Sequence, residues 1–130
     1  MLEDGLVGVA MMDLAKDQPT WSQATFGSDA HRGPLGGLKH LAKEANEAIL
    51  AYATLSSCDE AIDPMHKHYY SDYHTELADI LIILLDVSRR SGLTPLDLIR
   101  KAQAKMEVNK QRKWNVPQGD EPTEHVRDEK

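Results

Sequence analysis

The sequence predicts an all-α fold, a helical bundle completed by oligomerisation. Three observations carry that expectation. Apolar residues recur at three- and four-residue steps in long stretches, no run alternates apolar and polar as a half-buried strand does, and segments dense in Gly and Pro separate the periodic stretches. A chain of 130 residues suits one domain. We see no internal repeat.

The first segment, to about Lys16, is weakly amphipathic and reads as a helix despite Gly5 and Gly8. "DQPTWSQATFGSDAHRGPLGG" follows and reads as loop. It holds Trp21, Phe26 and Arg32, and large aromatics in a polar loop need core or ligand to pack on. From Leu38 to about Leu55 the pattern is helical, with Leu41, Ala42, Ala45, Ala48, Ile49 and Tyr52 on the repeat. "SSCDEAIDPMHKHYYSDY" breaks the period, and Pro64 argues against continuous helix there. A second strong helix is expected from about Ser71 to Ser91. It is apolar around most of its circumference, so it should be central and touched on several sides.

Gly92 then reads as a C-terminal cap. "TPLD" opens a third strong helix, with Thr94 at the N-cap, Pro95 at the first helical position and Asp97 as the capping-box acid. It should run to about Trp114. The remainder, residues 115–130, is acidic with Pro and Gly, and reads as an extended tail.

Composition excludes several classes. The formal net charge of -6 argues against a general binder of nucleic acid or anionic membranes, since both want clustered positive charge. The single cysteine, Cys58, excludes an intrachain disulfide and fits a reducing cytoplasm. Glu3 and Asp4 stand where a signal peptide carries positive charge, and the apolar run Leu6 to Met12 is too short to span a bilayer. The expected location is cytoplasmic.

Chemistry is concentrated in carboxylates. "HLAKEANEAI" places Glu44 and Glu47 three apart on one helix face, with His40 a turn earlier. "HTELADILIILLDV" repeats the spacing with Glu76 and Asp79 inside a core-like helix. Asp72, Glu76, Asp79, Asp86 and Arg90 form one stripe on that otherwise apolar cylinder. Buried carboxylates need partners or a cation. Two packed helices would bring both acid pairs to one point, and an all-oxygen donor set selects a hard ion, Mg²⁺ or Mn²⁺. Lys101, Lys105, Asn109 and Arg112 share a face of the third strong helix. Beside a metal site such a basic face would hold phosphate oxygens. The cluster of His66 and His68 in the predicted loop, with His74 just past it, lacks Cys partners at zinc spacing and reads as surface histidines.

Glu44-x-x-Glu47, a gap of 28 residues, then Glu76-x-x-Asp79, with Lys105 and Asn109 downstream, resembles the MazG-type all-α nucleoside triphosphate pyrophosphohydrolases. Trp21, Phe26, Gly27, Arg32 and His40 before the first acids, and Arg112, Trp114, Pro117, Gly119 and His125 after the last helix, resemble the phage-borne dATP/dGTP diphosphohydrolase branch that includes MazZ-type enzymes. The resemblance covers about Trp21 to His125. It implies hydrolysis of a purine deoxynucleoside triphosphate, dGTP or dATP with GTP also open, to monophosphate and pyrophosphate. It further implies two to three Mg²⁺ or Mn²⁺ ions on Glu44, Glu47, Glu76 and Asp79, with Glu47 favoured as general base. Trp21, Phe26, Arg32, Lys39, His40, Lys105, Asn109 and Arg112 would contact substrate, in a homo-oligomer, dimer or tetramer. Two other classes stay open: a di-iron carboxylate bundle, which usually needs Glu-x-x-His pairs, and a non-enzymatic helical interaction module.

Overall fold

The computed structural model describes residues 2–127. These carry the helices α1 (Leu2–Phe26), α2 (Leu35–Ser56), α3 (His66–Arg90) and α4 (Pro95–Gln111), and among the described residues there is no strand beyond one isolated bridge. The chain divides into two compact units, one up to Pro95 and one from Leu96 onward.

In the first unit α3 is central, as its nearly continuous apolar surface predicts. It packs extensively on α2 and more lightly on α1. Gly37 marks how closely α2 approaches it: a Cβ there would lie 2.8 Å from Val87 Cγ2. Ala48 and Leu55 of α2 and Leu85 and Val87 of α3 are the buried apolar side chains among the described residues. That core is small. On α1, Leu6, Val7, Val9 and Met12 are each more than half exposed. No helix among the described residues is long and apolar enough to cross a membrane.

Helix boundaries differ from the sequence expectation in instructive ways. The first helix does not stop near Lys16 but runs through Pro19 to Phe26. Proline in a helix interior removes one backbone hydrogen bond and costs about 3 kcal/mol. Tertiary bonds on both sides of Pro19 offset that cost. Gln18 Nε2 donates to Asp86 Oδ1 at 2.9 Å, and the Ser22 hydroxyl donates to the same oxygen. Gly27, at φ 109°, then ends the helix. Trp21 and Phe26 are therefore helical residues, not loop residues.

Two other helices start earlier than expected. The second begins at Leu35, directly after Pro34. The third begins at His66 rather than Ser71. Pro64 lies just ahead of its first turn, where a missing N–H costs nothing. The Asp63 carboxylate accepts the Met65 N–H at 2.8 Å, and that bond, first among several influences, holds Asp63 below the usual carboxylate range. His66 and His74 thus stand on a helix, with Tyr70 between them in ring contact with both. At the other end Gly92 N–H bonds Arg89 C=O and Leu93 N–H bonds Ser88 C=O, the Schellman pair expected of a capping glycine at φ 85°.

In the second unit α4 stops at Gln111, short of Trp114. The segment read as extended turns back on itself instead. Asn115 N–H bonds Glu124 C=O at 3.0 Å and Val126 N–H bonds Lys113 C=O at 2.7 Å, which pairs Trp114 with His125. Gly119, at φ 55°, lies in the return, and the Trp114 indole N–H donates to Asn109 C=O at 2.9 Å.

Candidate active site

The packing of α2 on α3 brings three of the four expected carboxylates together. Glu44, Glu47 and Glu76 each offer an oxygen, and these oxygens lie within 4.8 Å of one another. Glu44 is buried and the other two are half-buried. One oxygen of Glu76, Oε2, is buried without a hydrogen-bond partner among the described residues.

Such crowding cannot persist with every acid ionised and nothing between them. Its signature is a split in proton affinity. Glu76 is held above the usual carboxylate range, chiefly by its hydrogen bond to Glu44. Burial and the charges of Glu44, Glu47 and Asp79 push it the same way. Glu44 is pushed down, chiefly as the acceptor of that bond. Burial opposes this, and His40, 3.1 Å away through Nε2, supports it.

The donor set fits a hard divalent cation. It is all oxygen, it is anionic, and one buried oxygen lacks a partner. Opposite ligands around Mg²⁺ stand about 4.2 Å apart, so a trio spread over no more than 4.8 Å needs little rearrangement to hold one. Asp79 lies outside this trio. Its charge nevertheless acts on Glu76, and it lines the same cavity as Glu44.

That cavity has a volume of about 350 Å³. One stripe of α1 forms its first wall: Leu14, Asp17, Gln18, Trp21, Ser22 and Phe26. From α3 come Asp79, Ile82, Ile83 and Asp86, at the three- and four-residue steps that define one helix face. Trp21 and Phe26 meet edge to face at 5.3 Å, and the Arg32 guanidinium lies 5.7 Å from the Phe26 ring centre.

Asp86 stands apart from the carboxylate trio, although it shares a stripe of α3 with Glu76 and Asp79. Its cations are arginines. Arg89 Nη2 donates to it at 2.8 Å and Arg90 Nε at 3.0 Å, alongside Gln18 and Ser22. Burial pushes its carboxyl up, but these four donors outweigh burial and hold it at about 2. Arg90, whose side chain is 1% exposed, also bonds the carbonyls of Gly27 at 3.0 Å and Arg32 at 3.1 Å. Arg89 reaches Asp29 at 3.0 Å. The network therefore ties α1 and the loop after it to the end of α3.

The other expected contact residues are more scattered. Lys39 is exposed and makes no ion pair among the described residues. Lys105, Asn109 and Arg112 belong to the second unit, where Arg112 Nη1 donates to Asn109 Oδ1 at 3.4 Å and Lys105 is exposed.

A family model described as dATP/dGTP pyrophosphohydrolase matches residues 14–130. The chain belongs to that family. The dATP/dGTP pyrophosphohydrolase match takes in every carboxylate of the site and the cavity-lining half of α1, and omits the turns before residue 14. Among curated proteins, the Eaa protein of Salmonella phage P22 is 35% identical over 54 residues. That overlap is 42% of this chain and 17% of the phage protein, so the chain spans about a sixth of the relative's length. No solved structure matches the chain significantly.

Sequence reasoning missed Asp17, Gln18 and Ser22, which line the cavity, and the part Arg89 takes in the network behind it. The signal was present, since positions 14, 18, 22 and 26 repeat at four-residue steps. Pro19 concealed it by making the stretch read as loop.

Proposed function

We propose that this member of the dATP/dGTP pyrophosphohydrolase family hydrolyses a purine deoxynucleoside triphosphate, dGTP or dATP, to the monophosphate and pyrophosphate. GTP is a further candidate. The observation that carries the reading is the partnerless buried oxygen of Glu76 beside Glu44 and Glu47, next to a cavity walled by Trp21 and Phe26.

Glu44, Glu47 and Glu76, with Asp79 adjoining, would hold two to three Mg²⁺ or Mn²⁺ ions. Bound there, the metal supplies charge neutralisation on the triphosphate and a water of lowered pKa. His40 holds the Glu44 carboxylate in place through its Nε2 contact. Glu47 is our candidate for the base that takes the attacking water's proton. Its side chain is 39% exposed against 12% for Glu44, so it meets solvent while Glu44 does not. Trp21, Phe26, Ile82 and Ile83 would give the base an apolar slot, open to solvent on one side. A bicyclic purine buries more area in such a slot than a pyrimidine. On charge and spacing alone, Arg32, Lys39, Lys105, Asn109 and Arg112 are our candidates for the phosphate oxygens.

We infer as well that the active species is a homo-oligomer, dimer or tetramer, working in the cytoplasm. The apolar side chains that α1 leaves exposed, with Ile49 at 66% and Leu50 at 60% on α2, form a larger unburied set than the core. Steady-state hydrolysis of the four common deoxynucleotides, with Mg²⁺ or Mn²⁺ and with chelator, tests the reading. Metal-dependent turnover of dGTP or dATP above dCTP and dTTP supports it. A pyrimidine preference overturns it.

A further inference from the structure

We propose that Asp17 is the residue that reads the base, and that it selects guanine over adenine. The inference rests on the proposed function, because it takes the cavity between α1 and α3 as the base slot.

The polar groups lining that cavity are not equally free. Glu44 and Asp79 belong to the metal end. Asp86 already accepts from Gln18, Ser22, Arg89 and Arg90. The Ser22 hydroxyl donates to Asp86 and accepts from Arg90. The Gln18 amide is fixed in orientation, its oxygen accepting from Arg89 and its nitrogen donating to Asp86. These groups form a saturated wall with at most one amide hydrogen to spare. Asp17 differs: it lines the cavity, is exposed, and makes no hydrogen bond or ion pair among the described residues. It lies one helical turn before Trp21 on the same stripe, within reach of the edge of a ring stacked on that indole.

A free carboxylate in an apolar slot asks for two adjacent donors. Guanine presents them side by side, the N1 hydrogen and the exocyclic 2-amino group. Adenine presents a donor at the 6-amino group beside an acceptor at N1, and the second carboxylate oxygen would meet that acceptor with repulsion. Attraction to one purine and repulsion of the other act in the same direction. Asp17 sits at the cavity's exposed side, so the effect is that of charge-assisted bonds in partial contact with water, about ten- to a hundredfold in selectivity.

The experiment measures kcat/KM for dGTP, dATP and dITP with the full-length protein and with Asp17→Asn. dITP keeps the N1 hydrogen and lacks the 2-amino group. The exposed, isosteric substitution leaves the fold intact, which circular dichroism checks. In the natural protein dGTP should lead dITP by about tenfold, and Asp17→Asn should collapse the dGTP-to-dATP ratio by about ten- to a hundredfold. A ratio unchanged by Asp17→Asn, or dITP equal to dGTP in the natural protein, overturns the role of Asp17 while leaving the hydrolase reading in place. Absence of pyrophosphate release from any purine nucleotide overturns both.

Discussion

Replacing Asp86 by alanine probes the wall of the cavity between α1 and α3. The carboxylate stands at about 2, nearly two units below its ordinary value. At 1.36 kcal/mol per unit this is about 2 kcal/mol of folding stability. Because the folded-state value is depressed, that stability is fully present above about pH 5 and is lost as pH falls toward 2. Deleting the carboxylate does more than forfeit this amount. It leaves Arg90, 1% exposed, and Arg89, 18% exposed, with only Asp29, 35% exposed, as their anion. Breaking a buried pair in this way costs about 3–5 kcal/mol, a large share of the roughly 5–15 kcal/mol a domain possesses. Urea unfolding at fixed protein concentration, followed by circular dichroism, should show a loss of that size for Asp86→Ala. Ser22→Ala should cost about 1–2 kcal/mol alone and much less in the Asp86→Ala background, since both remove the same bond. A loss under about 1 kcal/mol for Asp86→Ala, or fully additive effects, would refute the network as a structural unit.

Glu76→Gln should keep helicity and abolish metal-dependent hydrolysis, because it removes one charge from the trio; normal turnover would take Glu76 out of the site. Lys105→Ala and Arg112→Ala should raise KM about ten- to a hundredfold with metal affinity unchanged, and a loss of metal affinity instead would make that face structural. Light scattering at micromolar concentration should give a multiple of the 14.5 kDa chain mass, whereas a monomer mass would contradict the oligomer.

The two acid pairs and the central apolar helix were legible because both follow from helical spacing, which the chain keeps without interruption from Leu38 to Leu55 and from Ser71 to Ser91. Helix ends were legible only where local chemistry decides them. Gly92 behaves as its residue type predicts, needing a left-handed backbone and making the expected pair of bonds. Pro19 and Pro64 were misleading for opposite reasons. Pro64 falls just outside a helix whose entry turn is held by the Asp63 carboxylate on the Met65 N–H, a pattern readable in retrospect. Pro19 sits inside α1, tolerated only because Asp86 and the arginines hold Gln18 and Ser22 from 64 to 71 residues away in sequence. No local rule reports a partner at that distance. Likewise Asp86 and Asp79 share one stripe, yet only three-dimensional packing reveals that arginines neutralise Asp86 while Glu44 and Glu76 crowd each other.

The proposed reaction, at a carboxylate-held metal site, cuts a purine deoxynucleoside triphosphate between its first and second phosphates. Its most direct test is to incubate the metal-stripped protein with dGTP, add Mg²⁺ or Mn²⁺, and resolve pyrophosphate from phosphate among the products. dGMP and pyrophosphate should appear in equal amounts, only after metal is added and not at all with Glu76→Gln. Release of phosphate with dGDP, or equal turnover without metal, would contradict it.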